Sequence, residues 1–161
     1  MQSLLGTYLN DHLAGATAGR DLARRAASSN RGDGRYGPLL AELAREVDED
    51  RDALLAIMRA LDVGTDRLKL AGGWGAEKLG RLKPNGRLWS YSPLSRVVEL
   101  EVLCLGVTGK LGLWRSLAAL AAEDPRLRAD QIAALIARAE AQLARLEPHR
   151  LRAVTSALGG D

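Results

Sequence analysis

The sequence predicts an all-α protein: a four-helix bundle with one long crossover between its second and third helices. Four stretches repeat apolar residues at helical spacing, each bounded by Ser, Gly, Asp or Pro. No alternating β-branched run spans even five residues, so strand signals are absent. Between the second and third stretches, residues 63–92 lose periodicity and gain glycines. At 161 residues and 47% hydrophobic composition, the chain fits a single helical-bundle domain over 1–161 and excludes disorder as a description of the whole.

The first helix is expected from Ser3 to about Ser29, with Leu5, Leu9, Ala16, Gly19, Ala23 and Ala26 on one face. Gly32, Gly34 and Gly37 then break the pattern. Pro38 suits the first position of a second helix, where its missing N–H leaves no partner unsatisfied. That helix buries Leu40, Leu43, Val47, Leu54, Ile57 and Leu61, and Gly64 suits its stop. Ser92-Pro93 reads as a cap followed by proline, starting a third helix that runs to about Ala122. Asp124-Pro125 repeats the device for a fourth, ending near Leu158, with Ile132, Leu135, Ile136, Ala139, Leu143, Leu146 and Val154 as its apolar positions. Pro148 falls inside this last helix, frees the carbonyl of Ala144, and is expected to bend it.

Helices of this length are roughly 40 Å long at about 1.5 Å per residue. Short loops make the first two antiparallel, and likewise the last two. The interval 63–92 is unusually long for a compact domain. Its natural role is to travel back along the bundle, so that the third helix starts at the same end as the second. This order of helix pairs, the single crossover and the carboxylates of helices two and three resemble the ferritin-like superfamily. The resemblance implies a bundle whose di-iron members draw ligands from Glu-x-x-His motifs. Here Glu46 is followed three residues later by Glu49, and Glu147 by Arg150. The motif is missing from both helices, so no di-iron site, catalytic residue or cofactor is expected.

Polar residues nonetheless fall on the inferred core faces. Glu46, Glu101 and His149 are expected about 12 Å deep in the bundle, and Asp50, Gln142 and His12 about 22 Å deep. They are candidates for a pocket binding a small molecule or, as the alternative, for a rebuilt site around Glu46, Glu101 and His149, either the acid–base groups of an enzyme or the ligands of a single metal. The plainer account is a buried network or solvated side chains.

Other function classes find little support. Net charge is only +3 from 23 basic and 20 acidic residues. The crossover carries Arg67, Lys69, Lys78, Arg81, Lys83 and Arg87 against Asp66 and Glu77, with Trp74, Trp89 and Tyr91 among them. Such interleaving can bind nucleic acid, but neutralising the acidic stretch Glu42–Asp52 of helix two explains it better. Gly106, Gly109, Lys110 and Gly112 invite a phosphate-loop reading that fails, because Cys104 and Leu111 occupy its fixed positions. Small residues there are expected to let another helix approach. Two His, one Cys and no C-x-x-C leave no thiolate zinc site. No leader or membrane span is recognised, which suggests a cytoplasmic protein. Helix three carries one seam of Leu100, Leu103, Val107, Leu111, Trp114 and Leu117, and another of Leu94, Val98 and Leu105. Two seams suggest a homodimer, contacting through helix three or the crossover. The expected function is a non-catalytic binding or interaction module with a protein or small-molecule partner.

Overall fold

A computed structural model describes residues 3–66 and 91–159. It is an all-α four-helix bundle, in the order α1 (Leu4–Ser29), α2 (Tyr36–Ala60), α3 (Pro93–Leu120) and α4 (Ala129–Leu158), with no strand among the described residues. The core is formed by Leu9, Leu13, Leu40, Leu54, Leu100, Trp114, Leu117, Ile132 and Leu146 with their neighbours. The closest pairings are α1 with α2 and α3 with α4, and α1 also packs on α3. None of the described helices is long and apolar enough to cross a membrane.

Helix starts follow local chemistry. Ser3 caps α1 by accepting the Gly6 N–H at 3.0 Å. Ser92 caps α3 by accepting the Ser95 N–H at 3.1 Å, with Pro93 in the first turn, as the dipeptide predicts. Asp124-Pro125 differs. The Asp124 carboxylate accepts the Arg126 N–H, and its carbonyl accepts the Leu127 N–H, closing a separate turn. Hence α4 begins only at Ala129. Its helix then continues through Pro148.

Helix α2 begins at Tyr36, two residues ahead of the expected start, because Asp33 Oδ1 accepts the N–H groups of both Arg35 and Tyr36. Gly37 lies against the preceding loop, where a Cβ would meet the Asn30 carbonyl oxygen at 2.7 Å. Gly64 does not stop α2. Asp62 takes a left-handed backbone (φ 55°), its N–H bonds the Arg59 carbonyl, and the Val63 N–H reaches back to Met58. This is a Schellman stop built on aspartate.

The connectivity follows from which helix ends meet. Tyr8 at the start of α1 bonds Ser116 near the end of α3. Tyr36 at the start of α2 bonds the His149 carbonyl near the end of α4. Arg96 in the first turns of α3 bonds Asn30 and Asp33 in the α1–α2 loop. Neighbouring helices are therefore antiparallel, and α3 starts at the end where α2 starts. The chain leaves one end of the bundle at residue 66 and re-enters at the other at residue 91. Trp74, Trp89 and the six basic residues of the crossover lie outside the described residues.

Candidate functional site

Three of the buried polar residues meet between α2 and α4, whose contact is sparser than that of α1 with α2, α3 with α4 or α1 with α3. From α2 come Glu46 and Asp50, one helical turn apart and only 8% and 3% exposed; α4 supplies Gln142, fully buried. The Gln142 amide donates to Glu46 Oε2 at 3.0 Å and to Asp50 Oδ2 at 3.2 Å. Its carbonyl accepts from Lys110 Nζ of α3 at 2.5 Å, and the same ammonium pairs with Asp50 Oδ2. Arg138 closes on Asp50 Oδ1 and on Glu49, the latter at 3.0 Å; Arg145 donates to Glu46 at 2.6 Å and makes an ion pair with Glu42 at 2.8 Å. The Arg138–Asp50 pair is a charge contact without hydrogen-bond alignment, so Oδ1 makes no hydrogen bond.

Burial pushes the Lys110 ammonium below the ordinary lysine range, against the pull of Asp50. The remaining partners are matched in sign. Chemically the arrangement is a cross-brace: a lysine from α3 and two arginines from α4 neutralise carboxylates of α2 where apolar contact is thin. Each carboxylate is paired with a cation, although Asp50 Oδ1 and Arg138 Nε make no hydrogen bond, so the brace presents no unpaired carboxylates to a substrate.

The other expected site residues lie elsewhere. Glu101 does not face the core: it is exposed on the outer side of α3, 3.6 Å from Arg150. Its apolar flanks misled, because Leu105 itself is 70% exposed. His149 is half-buried, its Nδ1 2.9 Å from the Arg145 carbonyl and its ring edge-on to Tyr36. His12 packs edge-on to Tyr8 near the opposite end, and burial lowers its pKa. Asp50 and Gln142 do share a layer, but His12 does not join it. Glu46, Glu101 and His149 thus do not converge, and among the described residues no group of three His, Cys, Asp or Glu side chains could hold a metal ion.

Lys110 is the member that sequence reasoning missed. In the sequence it stands out only as part of the phosphate-loop pattern that fails. The signal was its register: Leu103, Val107, Lys110, Trp114 and Leu117 follow the 4-3-4-3 spacing of one buried seam.

A second polar assembly holds the end of the bundle where α3 begins. Arg96 donates to Asn30 Oδ1 at 2.9 Å and Asp33 Oδ2 at 3.0 Å, and its guanidinium lies 4.2 Å above the Tyr36 ring. The Tyr91 hydroxyl donates to Glu99 at 2.9 Å and accepts from Asn30 at 2.8 Å. Burial pushes the Tyr91 pKa up to about 12 and raises that of Glu99. Tyr91 is therefore engaged in joining crossover to bundle, rather than free to stack on a base.

Comparison with known proteins adds no assignment: no family model matches the chain, and neither a curated protein nor a solved structure matches it significantly.

Proposed function

We propose that this protein is a non-catalytic, ferritin-like bundle that works as an interaction module, assembling with a second copy through the outward face of α3. The carrying observation is Leu105, 70% exposed at the middle of that face. Leu94 is 45% exposed on the same stripe. Beyond Leu105 the stripe continues through Thr108, Gly109, Gly112 and Ser116, all exposed. Glycine within a helix costs about 1 kcal/mol relative to alanine. Among the described residues no packing asks for it here: a Cβ built on Gly106, Gly109 or Gly112 meets no atom within 4 Å. Among the described residues, then, no helix makes the close approach expected at these glycines, and a second copy is the partner we propose for it.

Charge fits the same arrangement. Glu101 and Arg115 bracket the stripe, and Lys110, the only charge between them in sequence, is turned inward to Asp50. Place two α3 helices antiparallel about a two-fold axis near Thr108. Glu101 then stands opposite Arg115 of the second copy, and Leu105 enters the notch between that copy's Gly109 and Gly112. A self-complementary patch of this kind is what an isologous dimer requires. The polar brace between α2 and α4 supports the non-catalytic half of the reading, since its buried carboxylates are each paired with a cation.

Light scattering at high micromolar concentration tests the proposal. Wild type should show twice the 17.3 kDa chain mass, and Leu105→Glu should be monomeric with unchanged helicity. A monomeric wild type would overturn it.

A further inference from the structure

At the end of the bundle where the α1–α2 loop, the start of α3 and the last turns of α4 meet, a cavity of about 330 Å³ is lined by Asp33, Arg35, Tyr36, Arg96, Arg152 and Ser156. Three guanidinium groups face one carboxylate. That carboxylate is already committed: Asp33 Oδ1 accepts the backbone N–H groups of Arg35 and Tyr36, and Oδ2 accepts from Arg96. Arg96 is held on three sides by Asn30, Asp33 and the Tyr36 ring. Arg35 and Arg152 are left over. Both are exposed, and neither guanidinium makes an ion pair or hydrogen bond among the described residues. Elsewhere among the described residues most arginines have a carboxylate, Arg24, Arg45, Arg115 and Arg150 among them, whereas Arg31 and Arg59 lack one but do not line this cavity.

We propose that this cavity binds a phosphate group, either free or as the terminal phosphate of a small organic molecule. Three guanidinium groups against one carboxylate leave the lining two positive charges in excess, which match a dianion, whereas a carboxylate ligand would neutralise only one. Guanidinium forks present paired N–H donors suited to phosphate oxygens. The Ser156 hydroxyl adds a neutral donor at the rim, and Arg96, fixed by its own partners, supplies a preset wall. The cavity exceeds the size of inorganic phosphate alone, leaving room for a small organic body beside it. The proposal does not rest on the dimer, because neither Leu105 nor the glycines of α3 line the cavity.

The test is the thermal unfolding midpoint at low salt, titrated with inorganic phosphate, with glycerol phosphate, and with chloride at matched ionic strength. A ligand that binds only the folded chain raises the midpoint. Phosphate or glycerol phosphate should raise it and chloride should not; the better of the two identifies the source. Arg35→Ser/Arg152→Ser should weaken apparent affinity about tenfold or more, one decade being ~1.4 kcal/mol of binding. Arg59→Ser/Arg128→Ser, the same charge change at the other end of the bundle, should keep the wild-type response. The proposal is overturned if chloride acts equally, if neither phosphate acts, if the first double variant responds like wild type, or if the control pair loses as much.

Discussion

Asn10 and Asn30, both buried and roughly 30 Å apart along α1 by helical rise, fasten the two ends of the crossover to the same helix. Asn10 donates to the Gly64 carbonyl at 3.0 Å and accepts the Asp66 N–H at 2.7 Å, where the chain leaves α2. Asn30 donates to the Tyr91 hydroxyl and accepts from Arg96, where the chain enters α3. Each also donates to a carbonyl one turn back on α1, Gly6 and Ala26 respectively. Helix α1 thus serves as the strut that sets where the crossover departs and returns.

Replacing either asparagine strands buried partners. Asn30→Ala leaves the Arg96 guanidinium and the Tyr91 hydroxyl each short of a partner, and should cost about 2–3 kcal/mol. Asn10→Ala should cost a similar amount. Urea unfolding midpoints measure both, and changes under about 0.5 kcal/mol would contradict the strut.

The brace between α2 and α4 gives a sharper contrast. Asp50→Ala leaves Lys110 as a buried cation with one neutral partner, and should destabilise by about 3–5 kcal/mol. Asp50→Leu combined with Lys110→Met removes both charges and should recover most of that loss. A double-mutant cycle in urea reads the coupling. Additive losses would show that the two side chains do not act as a pair.

Two backbone positions make opposite predictions. Asp62 holds a left-handed conformation that costs an ordinary residue on the order of 1 kcal/mol, so Asp62→Gly should raise the unfolding temperature. Gly37→Ala should lower stability by about 1–3 kcal/mol, because its Cβ would press on the Asn30 carbonyl, a backbone atom with little room to move. Calorimetry on the two variants checks both signs.

His12 sets a pH dependence. Burial lowers its folded pKa below the ordinary 6.5, so the folded chain prefers the neutral ring. Its contribution is complete above pH 6.5 and declines as pH falls through the unfolded pKa toward the lower folded one. Glu99, raised by burial, works with the opposite sign at lower pH. The informative quantity is therefore the stability of wild type minus that of His12→Gln, which should shrink as pH falls from 7 to about 5.5. A difference independent of pH would contradict this.

The helix pattern was legible because it is repetitive and local. Ser92-Pro93 marked its helix correctly, since a serine hydroxyl three residues ahead of a free N–H is sufficient in itself. Asp124-Pro125 looked the same, yet Asp124 turns its carboxylate to Arg126, a choice only side-chain geometry reveals. The candidate site was legible only in part, because periodicity does not tell which of two apolar seams is buried. Val98 and Leu105 put Glu101 on a seam that the bundle leaves outside. Val107 and Trp114 put Lys110 on the seam that it buries, where charge discouraged the inference. Asn10 and Asn30 continue the spacing of the buried α1 face, four residues from Gly6 and Ala26, but periodicity does not name their partners, which are distant in sequence.

The most direct test of the account is a charge exchange across the α3 face, read by sedimentation equilibrium. Glu101→Arg and Arg115→Glu should each shift the chain toward monomer, since each sets like charges opposite one another across the two-fold axis. The double variant Glu101→Arg/Arg115→Glu restores opposite charges and should restore the dimer. A double variant no more dimeric than either single one, or single variants that dimerise as wild type does, would contradict the antiparallel α3 pairing.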